Sequence, residues 1–381
     1  MTFDIADRVE RVPPSGIRRF FELAEEMDDI ISLGVGEPDF SAPWAAREAA
    51  IASLEQGKTS YTANRGRSDL REAISGHVAD RYGLEYDADD EILVTAGASE
   101  GIDLAYRALV DPGDTVAVVQ PCYVSYVPGS IFAGGDVLDV PTKAADEFKL
   151  TAEALQEAGA EAADVLVLCY PNNPTGATMT GEELRPVAEF AREHDLVVFS
   201  DEIYADLTYE HDHTSIATLP GMRERTVVFN GFSKAYAMTG LRLGYAMAPP
   251  EATAAMNRIH QYTMLSAPTT AQYAAIEALR TCDDEVASMK AEYNRRRNFV
   301  LSRFEEMGVD CFPAAGAFYA FPECPWDDAG EFAEALLQEE RVAVVPGTAF
   351  GNGGEGHLRV SYATSLGDLK EAMARIEKFI R

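Results

Sequence analysis

The sequence predicts an α/β protein in which a mainly parallel sheet is sandwiched by helices, joined to a smaller α+β part. The first observation is a series of short apolar runs, rich in β-branched residues, that alternate with helical patterns. The second is that these runs are continuously apolar, as expected for strands buried on both faces. The third is a change after about residue 283, where a long charged helical pattern precedes several short strands.

Five apolar runs mark the strands of the larger sheet. They lie at residues 92–94, 116–119, 165–168, 197–199 and 227–229. Helical patterns fill many of the gaps between them, most clearly at 98–110 and 181–193.

The C-terminal part has a different pattern. A helix is predicted through EYNRRRNFVLSRFEEM, followed by strands in GAFYAFPE, VAVVPG and HLRVSYA and by two more helices. The segment before residue 44 has no place in the βα series, so we expect it to pack on this part. We therefore predict a large domain at 44–283 and a small domain from 1–43 and 284–381.

The charge of the chain excludes several classes of protein. Its 381 residues carry 32 Lys and Arg against 63 Asp and Glu, a net charge of −31. Nucleic acids and anionic membranes are bound through cations, so neither is an expected partner. Only seven of the cations are Lys, and such an acidic, Lys-poor surface is typical of proteins that work in concentrated salt. There the Debye length falls to about 3 Å at 1 M, which screens self-repulsion.

The compartment is predicted from the N-terminus and the cysteines. MTFDIADRVE has no basic region followed by an apolar stretch, so no signal peptide is expected. The five cysteines are odd in number and widely spaced, without a CxxC pair, so neither disulfides nor a structural zinc is expected. We expect a cytoplasmic protein with no metal.

Polar residues follow the predicted strands at the points where the strands end. The motifs, in chain order, are TAGASEG, YPNNPTG, SDEIY and NGFSK. The carboxyl ends of parallel strands meet at one edge of a sheet, where ligands bind. That edge is thus expected to hold a helix N-terminus with Asn173, Asp201, Tyr204 and Lys234.

These residue types suit one cofactor. The 97–99 turn opens a helix whose free N–H groups suit a phosphate, to which Ser233 and Arg242 can add donors. A lysine in an apolar setting, such as Lys234, suits Schiff-base chemistry. Asp201 can pair with a protonated heterocyclic nitrogen. Phosphate, aldehyde and ring nitrogen together describe pyridoxal 5′-phosphate (PLP).

Seven stretches in order carry a resemblance to a known family: ISLGVGEPDF, SYTANRGRSDLREAI, TAGASEG, YPNNPTG, SDEIYADL, SKAYAMTGLRLGY and HLRVSYA. The chain resembles the class I/II aminotransferases among the fold type I PLP enzymes. The resemblance implies amino-group transfer between an α-amino acid and a 2-oxoacid such as 2-oxoglutarate, in a ping-pong cycle through an aldimine at Lys234. Aspartate is the first expectation for the donor, with alanine and aromatic amino acids left open.

The resemblance also implies roles for residues. Lys234, Asp201 and Tyr204 are the implied catalytic residues, and Gly36, Asn173 and Arg359 the implied substrate-binding residues. The implied cofactor-binding residues are Gly97, Ala98, Ser99, Tyr123, Asn173, Asp201, Tyr204, Ser233, Lys234, Arg242 and Tyr61. Tyr61 is expected to reach the phosphate bound in the partner subunit, which implies a homodimer with shared active sites. The N-terminal segment is expected to cover the substrate.

One position departs from the family pattern. Many members carry Ser or Thr as a phosphate ligand three residues before the lysine, where this chain has Gly231. Ser233 is the candidate replacement.

Two further motifs are interpreted as non-functional. The GxGxxG at 351–356 precedes a strand instead of a helix, which argues against a dinucleotide site and a hydride-transfer enzyme. The His-Asp-His at 211–213 has no third ligand in view, so we expect a solvated loop.

Two other functions remain as alternatives. A PLP-dependent C–S lyase that performs β-elimination would use the same residues on the same scaffold. A cofactor-binding regulator built on this fold is disfavoured, because such proteins usually need a basic DNA-binding module and the chain has none.

Overall fold

The computed structural model describes residues 3–14, 16, 27 and 29–381. Part of the predicted substrate-covering segment, including 17–26, lies outside these residues. The helices are α1 (Asp7–Glu10), α2 (Trp44–Glu55), α3 (Ser68–Tyr82), α4 (Ala98–Leu109), α5 (Tyr126–Ala133), α6 (Ala152–Ala158), α7 (Gly181–Glu193), α8 (Pro250–Thr263), α9 (Thr269–Thr281), α10 (Asp283–Met307), α11 (Ala329–Glu340) and α12 (Leu366–Ile380).

Most strands lie in the middle of the chain. They are β1 (Ile31–Ser32), β2 (Ile92–Thr95), β3 (Thr115–Gln120), β4 (Asp136–Pro141), β5 (Val165–Cys169), β6 (Val197–Asp201), β7 (Thr226–Gly231), β8 (Gly244–Met247), β9 (Tyr319–Ala320), β10 (Val342–Ala343), β11 (Val345–Pro346) and β12 (Leu358–Ser361).

The largest sheet in the described part has the strand order β2-β8-β7-β6-β5-β3-β4. The strands from β4 to β7 pair in parallel, and β8 runs antiparallel to β7 and β2. Asp201 pairs in register with Cys169 on one side and Phe229 on the other, so β5, β6 and β7 end at one edge. The predicted mainly parallel sheet is confirmed.

Two strands of this sheet were absent from the predicted series. The edge strand β4 contains two aspartates among its six residues and is partly exposed, so it lacks the continuous apolar run that marks the others. The strand β8 is GYAM, which contains no β-branched residue and therefore lacks the composition that marks the predicted strands.

The strands are buried because helices cover both faces of the sheet. Ile92 and Val94 of β2 belong to the same apolar cluster as Leu70 and Ile74 of α3. Leu93, between them, points to the opposite face and belongs to the cluster that contains α4. This alternation follows from the period of two in a strand.

The C-terminal part contains an antiparallel sheet in the order β11-β12-β9. The predicted charged helix is present as α10, which begins earlier than the sequence pattern indicated, at Asp283. The strand β1 pairs in parallel with β10, Ile31 opposite Val342, so this N-terminal segment lies beside the C-terminal sheet. The domain boundaries stay a prediction. No helix among the described residues is long and apolar enough to cross a membrane.

Candidate active site

A cleft of about 1730 Å³ lies at the edge where the parallel strands end. Most of the predicted site residues line it: Gly36, Ala98, Ser99, Tyr123, Asn173, Asp201, Tyr204, Ser233, Lys234, Arg242 and Arg359. Gly97 packs directly against the guanidinium of Arg242. Tyr61 lies outside this cleft and is 79% exposed.

Lys234 follows the end of β7 and points into the cleft. Its Nζ donates a hydrogen bond to the carbonyl oxygen of Gly36 at 2.7 Å and lies 5.6 Å from the ring centroids of Tyr204 and Phe318. Burial, assisted by the nearby Arg359 cation, lowers the pKa of Lys234 to about 8. At pH 8 about half of the side chain is therefore a neutral, nucleophilic amine.

Asp201 is the last residue of β6 and is 5% exposed. Its Oδ2 accepts a hydrogen bond from the Tyr126 hydroxyl at 2.6 Å, and its Oδ1 accepts one from the Ile203 backbone N–H at 3.1 Å. Burial raises the pKa of Asp201 to about 6, because a charged carboxylate is poorly solvated there. A cationic partner in the cleft would stabilise the ionised form.

The N-terminus of α4 forms a cradle that suits a phosphate. Gly97 precedes the helix with φ at +84°, and a Cβ there would lie 2.6 Å from Nη2 of Arg242. Gly244 packs equally closely on the other side, since its Cβ would lie 2.4 Å from the Ala98 nitrogen. Free helix N–H groups and a guanidinium thus meet where only glycine fits, an arrangement that binds anions.

Arg359 of β12 is buried in the lining of the same cleft. It donates to Oδ1 of Asn173 at 2.8 Å and to the carbonyl of Gly34 at 2.6 Å. Its guanidinium lies between the rings of Tyr319 and Phe350, at 4.6 and 4.7 Å from their centroids. Its Nε is buried and has no hydrogen-bond partner among the described residues, so a donor remains for a ligand such as a carboxylate.

Comparison with known proteins agrees with this arrangement. The family described as "Aminotransferase class I and II" matches residues 28–376. The chain belongs to the class I and II aminotransferases.

Individual relatives carry substrate names. The aspartate aminotransferase of Pyrococcus abyssi is 43% identical over 99% of this chain and 98% of its own. The aromatic-amino-acid aminotransferase 2 of Thermococcus litoralis is 42% identical, with the same coverage. The solved structure of Thermus thermophilus aspartate aminotransferase with maleate has a TM-score of 0.94 at 37% identity, covering 99% of this chain and 100% of that one.

The cofactor that this family implies fits the residues present. The cradle at Gly97 has the donors for a phosphate, the amine of Lys234 suits an aldehyde, and the buried Asp201 suits a cationic ring nitrogen. The described cleft lining includes three cations, Lys234, Arg242 and Arg359, in a chain with net charge −31. The same lining carries three acids, Asp29, Glu37 and Asp201, so its candidate anion-binding groups are the two arginines rather than the cleft as a whole.

Tyr319 is a site residue that the sequence analysis missed. Its hydroxyl lies 2.8 Å from that of Tyr204, and its ring covers Arg359. A Cβ at Gly36 would lie 2.4 Å from the Tyr319 hydroxyl. The segment GAFYAF was interpreted only as an apolar strand, and within such a strand no local signal separates a site tyrosine from a core tyrosine.

Tyr126 was missed for a similar reason. It lies in PCYVSY, the segment from which Tyr123 was selected, but its side chain is buried and its partner Asp201 is 75 residues away in sequence. Only the tertiary structure brings the two together.

The interpretation of 211–213 as a solvated loop is wrong for His213. Its Nε2 lies 2.8 Å from Oε2 of Glu202, and both side chains are buried. His211 lies apart, with its Nε2 2.9 Å from the Thr178 hydroxyl. A single buried carboxylate attracts one histidine inward, which a local sequence pattern does not reveal.

Proposed function

We propose that this aminotransferase uses PLP to transfer an amino group between an α-amino acid and a 2-oxoacid. The observation that supports it best is the meeting of Lys234, Asp201, Arg359 and the Gly97 cradle in one cleft. Each of the three ligand functions of PLP has a matching group there. The same cleft offers the guanidinium of Arg359 for the substrate α-carboxylate.

The roles divide among the residues of the cleft. PLP, when bound, supplies an aldehyde that reacts with amines and a protonated ring that withdraws electrons. Lys234 holds the cofactor and then moves the proton at the substrate Cα. Asp201 keeps the ring nitrogen protonated. Arg359 holds the α-carboxylate, and Tyr123 packs on the ring.

The remaining polar groups complete the proposed site. Tyr204 and Asn173 donate hydrogen bonds to the ring oxygen beside the reacting carbon. Ala98, Ser99, Ser233 and Arg242 hold the phosphate, with Gly97 leaving room for it. Gly36 and Asn173 lie beside the substrate carboxylate.

Aspartate with 2-oxoglutarate is the proposed substrate pair. This proposal rests on the names of relatives, which include both aspartate and aromatic-amino-acid aminotransferases. Aromatic amino acids and alanine are therefore the first donors to compare with aspartate.

The proposed working form is a homodimer in which Tyr61 reaches the phosphate of the partner subunit. Tyr61 is 79% exposed, and Tyr262, Met264 and Leu265 are also exposed. Asn64 donates a hydrogen bond to the Leu265 carbonyl at 2.6 Å, which holds the two exposed segments together. One chain has a mass of 41.4 kDa. We expect sedimentation to give twice this mass. A monomer at micromolar concentration would contradict the dimer.

A cytoplasmic location also stays a prediction.

An absorbance titration tests the reaction. The purified protein is loaded with PLP in multimolar KCl and then given single amino acids without any oxoacid. We expect a visible absorbance that disappears as one equivalent of 2-oxoacid forms, fastest with the preferred donor. Continuous release of ammonia and pyruvate from cysteine or cystathionine would instead favour the lyase.

Lys234→Ala is the matching variant. We expect it to fold and to lose turnover, because the only amine of the described cleft lining is removed. Lys143→Ala, which removes an exposed lysine paired with Glu157, is the control and retains activity. Steady-state transamination by Lys234→Ala at the wild-type rate would refute the assignment.

A further inference from the structure

The hydroxyl of Tyr126 is buried against the carboxylate of Asp201. Tyr126 begins α5, and its side chain is 1% exposed. Its oxygen lies 2.6 Å from Oδ2 of Asp201, a short distance typical of a hydrogen bond to an ionised carboxylate. Because an ionised carboxylate has no hydrogen to give, the tyrosine is the donor.

No other side chain among the described residues donates a hydrogen bond to Asp201. The second donor is the backbone N–H of Ile203, which every residue except proline can supply. The adjacent acid, Glu202, has separate partners in Ser200, Ser215 and His213. The orientation of Asp201 therefore depends on one replaceable group.

We propose that Tyr126 is a positioning residue, which holds the Asp201 carboxylate charged and directed towards the ring nitrogen of bound PLP. This inference rests on the proposed function, since it concerns the same cofactor. Without the hydroxyl, one carboxylate oxygen would be buried without a donor, and such a loss is costly for a charged group. The population of the neutral form of Asp201, which pairs poorly with a cationic nitrogen, would then increase.

The position of Tyr126 directly after the turn that follows Tyr123 adds a second consequence. The ring of Tyr123 lies edge-on to the ring of Tyr126, with centroids 5.6 Å apart. Tyr123 is the residue proposed to pack on the cofactor ring. The hydroxyl bond to Asp201 thus ties the turn that carries Tyr123 to the end of β6.

A pair of tyrosine variants tests the proposal. Tyr126→Phe removes only the hydroxyl, and Tyr106→Phe is the matched control. Tyr106 is equally buried, but its hydroxyl has no hydrogen-bond partner in the part of the chain that the structure describes. The affinity of each cofactor-free protein for PLP is measured by absorbance titration at pH 8 and pH 6. We expect Tyr126→Phe to bind PLP about three- to tenfold more weakly at pH 8, less than the full scale of a lost hydrogen bond to a charge, because the bond is already made in the cofactor-free protein.

The pH dependence separates positioning from packing. The titratable and charged groups that face Asp201 are Tyr126 from α5, Cys169 from β5, the adjacent Glu202 and Lys234. Burial already raises the pKa of Asp201 to about 6, and removal of the donor raises it further. At pH 6 Asp201 is then largely neutral, so the affinity ratio of wild type to Tyr126→Phe should grow as the pH falls. A purely structural tyrosine would give the same ratio at both pH values.

A double variant identifies the residue through which Tyr126 acts. In Asp201→Asn protein, the further change Tyr126→Phe should leave PLP affinity unchanged within twofold. Equal PLP affinities for Tyr126→Phe, Tyr106→Phe and wild type would overturn this inference but not the proposed function. So would a Tyr126→Phe chain that fails to fold while Tyr106→Phe folds. Wild-type protein that binds no PLP would instead overturn the proposed function.

Discussion

Among single residues, burial sets the chemistry of the cleft more than charge does. Burial lowers the pKa of Lys234 to about 8 and raises that of Asp201 to about 6. Both shifts favour the neutral form, because each ion is poorly solvated when buried. The two groups are thus ready for a ligand that restores the charge on Asp201 and uses the neutral amine of Lys234.

Capture of PLP by the cofactor-free protein should depend on pH through Lys234. The neutral amine is the reactive form, so the rate should rise between pH 7 and pH 9 and level off above the pKa of about 8. The measurement is stopped-flow absorbance at constant PLP concentration. An unperturbed lysine side chain has a pKa near 10.4, so the reaction of Nα-acetyl-lysine with PLP, run alongside, should still be rising at pH 10. A protein rate that follows Nα-acetyl-lysine would contradict the shift.

Arg359→Lys should separate substrate binding from cofactor binding. Lysine cannot reproduce the planar fork that suits a carboxylate. We expect the KM for the amino donor to rise by roughly 10- to 100-fold, on the scale of a lost charge-assisted hydrogen bond. The Kd for PLP should stay within twofold of wild type.

The control for this variant is Arg297→Lys. Arg297 is also buried, but it binds Asn294 and the carbonyl of Ala314 away from the cleft. The Arg297→Lys variant should have a lower melting temperature and an unchanged KM for the amino donor. Equal KM values for Arg359→Lys and wild type would remove Arg359 from the substrate site.

At the scale of elements, the pairing of β7 with β8 explains the glycine at position 231. Gly231 lies opposite Gly244, and a Cβ at Gly231 would lie 2.8 Å from the Gly244 Cα and 3.0 Å from the Leu243 carbonyl oxygen. These are backbone atoms, which cannot turn away as a flexible side chain can. The hydroxyl that many family members carry here therefore has no room in this chain.

Gly231→Ser should destabilise the protein without creating a useful phosphate ligand. We expect a loss of about 1–3 kcal/mol in the free energy of unfolding, the usual cost of overpacking, measured by denaturant unfolding of the cofactor-free protein. Gly76→Ser is the control, because outside the backbone of α3 itself no described atom lies within 4 Å of a Cβ at Gly76. Unchanged stability together with tighter PLP binding in Gly231→Ser would show that the strands separate easily and that the steric explanation is wrong.

For the whole molecule, the dominant property is its charge. A net charge of −31 over 381 residues opposes the folded state in dilute buffer. Many exposed arginines pair with nearby acids, as Arg185 does with Glu182 and Arg295 with Glu292. Each such exposed pair contributes little to the stability of the fold. Most of the repulsion between acidic groups is therefore weakened only when salt screens it.

The melting temperature should therefore rise from dilute buffer to multimolar KCl. Screening weakens the repulsion between acidic groups most strongly in the first molar of salt. The experiment is a thermal melt across KCl concentrations, with sorbitol of equal osmolality as the non-ionic control. A melting temperature independent of KCl would contradict a surface adapted to salt, and an equal rise in sorbitol would assign the effect to solvent exclusion.

The α/β class follows from the amino-acid sequence alone, because apolar runs and turn motifs are local and repeat with a recognisable period. It also indicated the polar residues of the sheet edge, since parallel strands bring their carboxyl ends together. The tertiary structure alone decided which side chains meet across long separations, such as Tyr126 with Asp201 and His213 with Glu202. It also decided the steric role of Gly231. Burial, close packing and shifted pKa values depend on atoms far apart in the chain, so no local pattern encodes them.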